Sequence, residues 1–150
     1  MRPDEARRLF SLARVARLAT VGADGHPHVV PIVFAVEADV VFSAVDYKPK
    51  RTTRLRRLAN IAENPALTVL ADYYDDSDWG QLWWARADGD GRLLVPGSEE
   101  EDRAISQLRG RYAQYAARPP AGPVLAVDVR RWSGWAAGQG GAAGQSGPAP

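Results

Sequence analysis

"RLATVGADGHPHVVPIVFAVEADVVFSAV", residues 17–45, decides the fold class. Three apolar runs rich in Val, Ile and Phe are broken twice by short polar stretches, and each run has strand length rather than helix length. Between the first two, Ala23-Asp24-Gly25 carries Asp-Gly turn chemistry, in which glycine supplies the positive φ a tight reversal needs. Glu37-Ala38-Asp39 turns the chain again before the third run. The stretch therefore predicts a three-stranded antiparallel meander. Pro31 places the second strand at an edge or a bulge, because proline cannot donate to a ladder.

Upstream, Pro3 followed by "DEARRLFSLA" predicts a short N-terminal helix, with proline at its first turn. Downstream, Leu55, Leu58, Ala59 and Ala62 recur at i, i+3, i+4, i+7 and predict a second helix. Thr52 or Thr53 would cap it, and Asn64-Pro65 would end it. "ALTVLADYY" (66–74) and "QLWWARAD" (81–88) are two more strands around the acidic loop "DDSDWG". Ser98 and Glu101 have capping-box spacing, and the helix they open carries Ile105, Leu108, Tyr112 and Tyr115 on one face before Pro119-Pro120 stops it. "GPVLAVDVRRW" (122–132) is the last strand. Six short strands, tight turns and three helices indicate a mainly β (α+β) chain forming a small antiparallel barrel, not a βαβ sheet. From Gly138 the chain reads "GQGGAAGQSGPAP", with no apolar side chain larger than alanine. Residues 1–137 are thus expected to form one domain and 138–150 a disordered tail.

Composition narrows the chemistry. The 150 residues suit one domain with a real core, and a net charge of +1 is too balanced for a general nucleic-acid binder. The absence of cysteine excludes disulfides, thiolate catalysis and Cys-ligated zinc. "MRPDEARRLF" has no apolar h-region, and no run approaches the ~20 apolar residues of a membrane helix, so a cytoplasmic protein without a membrane partner is expected. His26 and His28 are the only histidines, and no further ligands at metal spacing accompany them, so no metal site is expected. No serine occupies a G-x-S-x-G elbow, and "GQGGAA" lacks the strand and helix a dinucleotide fingerprint requires.

One local feature does point to a ligand. "DYKPKRTTRLRRLANI", residues 46–61, holds six cations in ten positions. Arg56 and Arg57 fall inside the predicted helix and read as solvated charges or dimer contacts. Lys48, Lys50, Arg51 and Arg54 fall in the loop and first turn, where the helix dipole disfavours cations and favours an anion. Free N–H groups together with Arg forks make a phosphate cradle. The five tryptophans add a second signal: Trp83-Trp84 must point to opposite faces of one strand, so that one can be core while the other lines a groove. They are not interleaved with the basic run as stacking platforms for nucleic acid would be.

With these pieces placed, the chain resembles the pyridoxamine-phosphate-oxidase-like split β-barrel superfamily over about residues 5 to 137. Within it, the chain is most similar to the small flavin/deazaflavin oxidoreductases that use coenzyme F420. The resemblance rests on residues 17–74, on "DWGQLWWARADG" and on "RWSGWAA". It implies a six-stranded split barrel that forms a homodimer, with the cofactor in the cleft between subunits. Val29, Val30, Pro31 and Ile32 would lay their backbone beside the tricyclic ring, and Phe42 and Ser43 on the following strand would line the same groove. Lys48, Lys50, Arg51 and Arg54 would take the cofactor phosphate. Trp132 and Trp135 would close the cleft, with Trp83, Trp84 and Arg86 as further lining. FMN users favour basic residues flanking the second strand, whereas "HVVPIVF" here has no Arg or Lys, which favours F420 over FMN. The implied activity is hydride transfer between the deazaflavin and a small organic substrate. The alternatives are an FMN-dependent oxidase or reductase and a non-catalytic carrier of F420 or haem. No side chain is singled out as catalytic; Tyr73, Tyr74 or water are the candidates for a proton donor.

Overall fold

The structure is a computed structural model of the chain and describes residues 1–45 and 55–138. Lys48, Lys50, Arg51 and Arg54, the caps Thr52 and Thr53, and the tail beyond Gly138 lie outside the described residues. Helix α1 spans Pro3–Leu12, with proline in its first turn and Asp4 and Glu5 at the positive end of its dipole. The strands are β1 (Ala16–Val21), β2 (Pro27–Ile32), β3 (Ala35–Glu37), β4 (Val40–Ala44), β5 (Ala66–Tyr73), β6 (Trp83–Leu93) and β7 (Val124–Ala136). Between them lie α2 (Arg56–Glu63), a 3-10 turn at Trp79–Gln81, α3 (Glu99–Arg111) and α4 (Ala113–Ala117).

All seven strands form one antiparallel sheet in the order β2-β1-β5-β6-β7-β4-β3. Strands β2 and β3 are consecutive in the chain yet occupy opposite edges, joined only by Val33 and Phe34. A link that short spans about 10 Å, so the sheet has to curl until its edges meet. The expected second strand is therefore two strands, which raises the count from six to seven. No ladder closes the seam; side chains do. Ser43 Oγ donates to the Val33 carbonyl at 2.9 Å, and the Phe34 N–H donates to Tyr112 Oη at 3.0 Å. Tyr112 Oη in turn lies 2.9 Å from both the Phe34 and Arg14 carbonyls. Tyr112 also separates α3 from α4, so the single helix expected up to Pro119 is two.

The barrel is filled from α1. Phe10 is fully buried, with ring centres 4.8 Å from Phe34 and 5.2 Å from Trp132. Burying a side chain of this size stabilises the fold by roughly 1.5–3 kcal/mol. Leu18, Val41, Val69 and Val127 line the same cluster, and a second cluster under α3 gathers Phe42, Leu94, Leu108 and Tyr115. Gly134 lets α1 approach: a Cβ there would stand 2.8 Å from the Trp84 carbonyl and 3.3 Å from Ala6 Cβ. The β3–β4 turn holds Ala38 at φ 51°, a region costly for any residue with a Cβ. The turn is held by Asp39, which accepts from Trp132 Nε1 at 2.9 Å, pairs with Arg7 at 3.3 Å and gives its carbonyl to the Val129 N–H. No helix among the described residues is long and apolar enough to cross a membrane.

Candidate functional site

Strand alternation divides each strand into an inner and an outer set, and the outer sets meet on one face of the sheet. Pairing registers lay out three rows across it: Val29–Ala19–Thr68–Asp88, Arg17–Leu70–Arg86–Ser133 and Asp72–Trp84–Trp135. Outer faces of antiparallel sheets are ordinarily polar. Here Val29 is 58% exposed, Leu70 36% and Trp135 49%. Together with Trp84 they make an apolar surface that the monomer leaves uncovered, the kind that marks a ligand or partner site.

A cavity of about 620 Å³ opens on this surface, with Val29, Leu70 and Trp84 as apolar lining and Arg17, Asp72 and Arg86 among its polar groups. Its guanidiniums are already committed. Arg17 pairs with Asp72 at 2.7 Å, and Arg86 pairs with Asp88 at 3.1 Å while lying 5.8 Å from the centre of the Trp84 ring. Asp88 also accepts from Thr68 Oγ1 at 2.8 Å and pairs with Arg131 at 3.4 Å. The groove is thus an apolar, aromatic slot with a charge-compensated rim, suited to a planar ring and not to a polyanion.

A second cavity, of about 600 Å³, lies beside α3 and β3 and includes Arg14, Gln107 and Arg111 in its lining. Its arginines have structural work. Arg111 donates to the Ser11 carbonyl at 2.7 Å and to that of Ala13, while Arg14 donates to the Arg111 carbonyl. Arg111 thus binds carbonyls at the C-terminal end of α1, and Arg14 one at the C-terminal end of α3. Arginines are engaged at both cavities, and it is the apolar, aromatic lining of the sheet-face groove that makes it the candidate site.

The expected site residues divide accordingly. Val29, Pro31 and Trp135 stand on the outer face, and Trp84 and Arg86 line the cavity. Val30 and Ile32 point inward to the core. Phe42, Ser43 and Trp132 do not face the groove: Phe42 is packed under α3, Ser43 is bonded to the seam, and Trp132 is buried against Phe10 and Asp39. Trp83 is the inward member of the tryptophan pair, packed on the core. Arg17, Thr68, Leu70 and Asp72 were not expected from the sequence. Their signal was the outer parity of β1 and β5, which places a leucine where a polar residue belongs.

Arg56 is not simply solvated. It pairs with Asp24 at 2.8 Å, and Asp24 is held below its ordinary carboxylate range first by the His26 backbone N–H and also by Arg56. Lys48, Lys50, Arg51 and Arg54, the residues expected to take a phosphate, lie outside the described residues. Among the described residues no group of three His, Cys, Asp or Glu side chains is placed to hold a metal. Tyr74 Oη donates to Asp76 at 3.0 Å, and the Tyr73 side chain hydrogen-bonds Asp75, so both hydroxyls serve the acidic loop.

A family model described as pyridoxamine 5'-phosphate oxidase matches residues 3–136. No curated protein matches the sequence. Solved structures share the architecture. A conserved hypothetical protein from Mycobacterium tuberculosis superposes with a TM-score of 0.73 at 18% identity, covering 99% of this chain and 93% of its own. An FAD-binding protein from Mesorhizobium loti gives 0.68 at 19% identity, covering 89% and 94%. The heme storage protein HutZ from Vibrio cholerae gives 0.67 at 17% identity, covering 91% and 95%. At these identities the likeness is one of fold.

Proposed function

The chain belongs to the pyridoxamine 5'-phosphate oxidase family, and from that premise we propose that it is an oxidoreductase that holds a tricyclic flavin-type cofactor, coenzyme F420 in preference to FMN, on the outer face of its barrel. Fold alone does not choose between flavin and haem, since both an FAD-binding protein and a heme storage protein share it. The groove's lining supports the flavin reading. Its volume falls in the ~300–1,000 Å³ range of small-ligand sites, and its lining is aliphatic and aromatic. Haem iron is ordinarily held by His, Cys, Met or Tyr, and none of these is among the residues lining the cavity.

Val29, Leu70 and Trp84 would hold the ring by apolar contact and keep water from it. The rim pairs Arg17–Asp72 and Arg86–Asp88 would hold its charge balance close to neutral. The phosphate would fall to Lys48, Lys50, Arg51 and Arg54, next in sequence to the start of α2, whose N-cap residue Leu55 provides no side-chain cap. F420 is favoured over FMN because β2 and its flanks, "HVVPIVF", lack the basic residues typical of FMN users. When bound, a reduced deazaflavin supplies a hydride to an unsaturated or carbonyl acceptor, while the protein contributes orientation and a dry cleft. A second copy of the chain would cover Val29, Leu70 and Trp135 and complete the cleft as a homodimer. No protonating side chain is assigned.

Titration of the purified protein with F420 and with FMN, followed by tryptophan fluorescence, tests this reading. Tighter F420 binding supports it. Tighter FMN binding, or a yellow protein on purification, moves the assignment to an FMN enzyme. A tight haem complex without turnover of either flavin moves it to a carrier.

A further inference from the structure

Two buried polar side-chain atoms among the described residues have no hydrogen-bond partner: His28 Nδ1 and Ser133 Oγ. Buried polar groups are nearly always paired, so each asks for a reason. His28 lies on the inner side of β2, opposite Thr20, whose hydroxyl already accepts from Asn60 at 3.0 Å. Although next to Val29 in the chain, it faces the opposite side of the sheet from the groove. Ser133 lies on the outer face, directly across from Arg86, with Trp84 and Trp135 in the next row. Its neighbours are all provided for: Arg86 and Arg131 by Asp88, and Thr68 by the same carboxylate. An alanine would fill the same space without an unmet hydroxyl, and a threonine or valine would suit a strand better. A residue that breaks local rules beside a cavity is the signature of a functional position.

We infer that the Ser133 hydroxyl is the groove's directional contact to its ligand, bonding the polar pyrimidinedione edge of a flavin-type ring once the Arg86 side chain swings aside. The inference rests on the reading of the groove as a ring site. Arg86 is a suitable cover, because its ion pair with Asp88 and its contact with the Trp84 ring are partly exposed and exchange readily for water. The apolar lining would fix the plane of the ring, and Ser133 would fix its rotation within that plane.

Ser133→Ala separates this role from a structural one, because stability and binding move in opposite directions. The probes are lumiflavin, a tricycle with the pyrimidinedione edge and no phosphate, and acridine, a tricycle without that edge. The variant is expected to melt about 2–4 °C higher without ligand, to bind lumiflavin about tenfold more weakly and to bind acridine within twofold of wild type. A lower melting point would mean that the hydroxyl is already satisfied, and would overturn the inference. So would equal losses for the two probes. Unchanged lumiflavin affinity removes the Ser133 role alone, whereas a folded wild type that binds neither tricycle removes the ring site and this inference with it.

Discussion

Beyond the inward Trp83, strand β6 shows its small side to the core and its large side to the surface. Inward, Ala85 and Ala87 are fully buried, followed by Gly89 and Gly91; outward stand Trp84, Arg86, Asp88 and Asp90. The inner choice follows from packing: α1 lies across β6 and β7, and a Cβ at Gly91 would meet Leu67 of β5 and Ile61 of α2. The outer choice has no such cause. Folding gains little from a tryptophan, a leucine and a valine on a face the monomer leaves open. The interior follows from packing within the chain, whereas the exterior has no such partner in the monomer, and the proposed ring site would give it one.

The sharpest way to break that contrast is a matched pair of truncations. Phe10→Ala, on the inner side, is expected to cost about 3–5 kcal/mol in urea unfolding and to leave a cavity beside Phe34 and Trp132. Leu70→Ala, on the outer side, should cost under ~1 kcal/mol yet weaken binding of a flavin-type ring. Comparable losses of stability would make the outer face part of the core. Next in size comes the seam. Tyr112→Phe deprives the Phe34 N–H of its acceptor and should cost about 1–3 kcal/mol. Faster hydrogen exchange at the Phe34 amide would localise the effect, whereas unchanged protection would mean the seam is held by other groups.

The smallest effect concerns the surface network of Arg92. Its side-chain hydrogen bonds hold Glu100 below the ordinary 4.5, while Glu100 and Asp128 raise the pKa of Arg92 itself. A depressed carboxylate pKa contributes stability above the unfolded-state value and loses it as pH falls through the folded value. Arg92→Gln should therefore return the Glu100 titration toward 4.5, read by NMR, and reduce stability above pH 5 by no more than ~1 kcal/mol. At pH 3 the two proteins should be closer in stability than at pH 7.

The sequence disclosed elements better than their closure. Ala23-Asp24-Gly25, Ser98 and Asn64-Pro65 act locally, and each turn, cap and stop falls where the residues predict. The break at Val33–Phe34 escaped because its cause lies in Tyr112, 78 residues from Phe34 along the chain. The expected strand ended at Asp88, whereas β6 runs on through Gly89 and Gly91 to Leu93. At Gly89 a Cβ would stand 2.2 Å from the Asp128 carbonyl, so the glycine serves a bulge. Parity explains the site residues too. Alternation told that Trp83 and Trp84 face opposite ways, but which face is the core depends on α1 and the curl of the sheet. Phe42, Ser43 and Trp132 were expected in the groove from the family resemblance, which does not say which face each side chain takes in this chain.

The central claim is that the outer face of β2, β1, β5 and β6 holds a planar ring. A methyl NMR spectrum of the full chain titrated with F420 addresses it most directly. Ring currents should shift the methyls of Val29 and Leu70, while those of Leu18 and Val69, on the inner side of the same sheet, stay in place. Saturable F420 binding with Val29 and Leu70 unmoved would contradict the account.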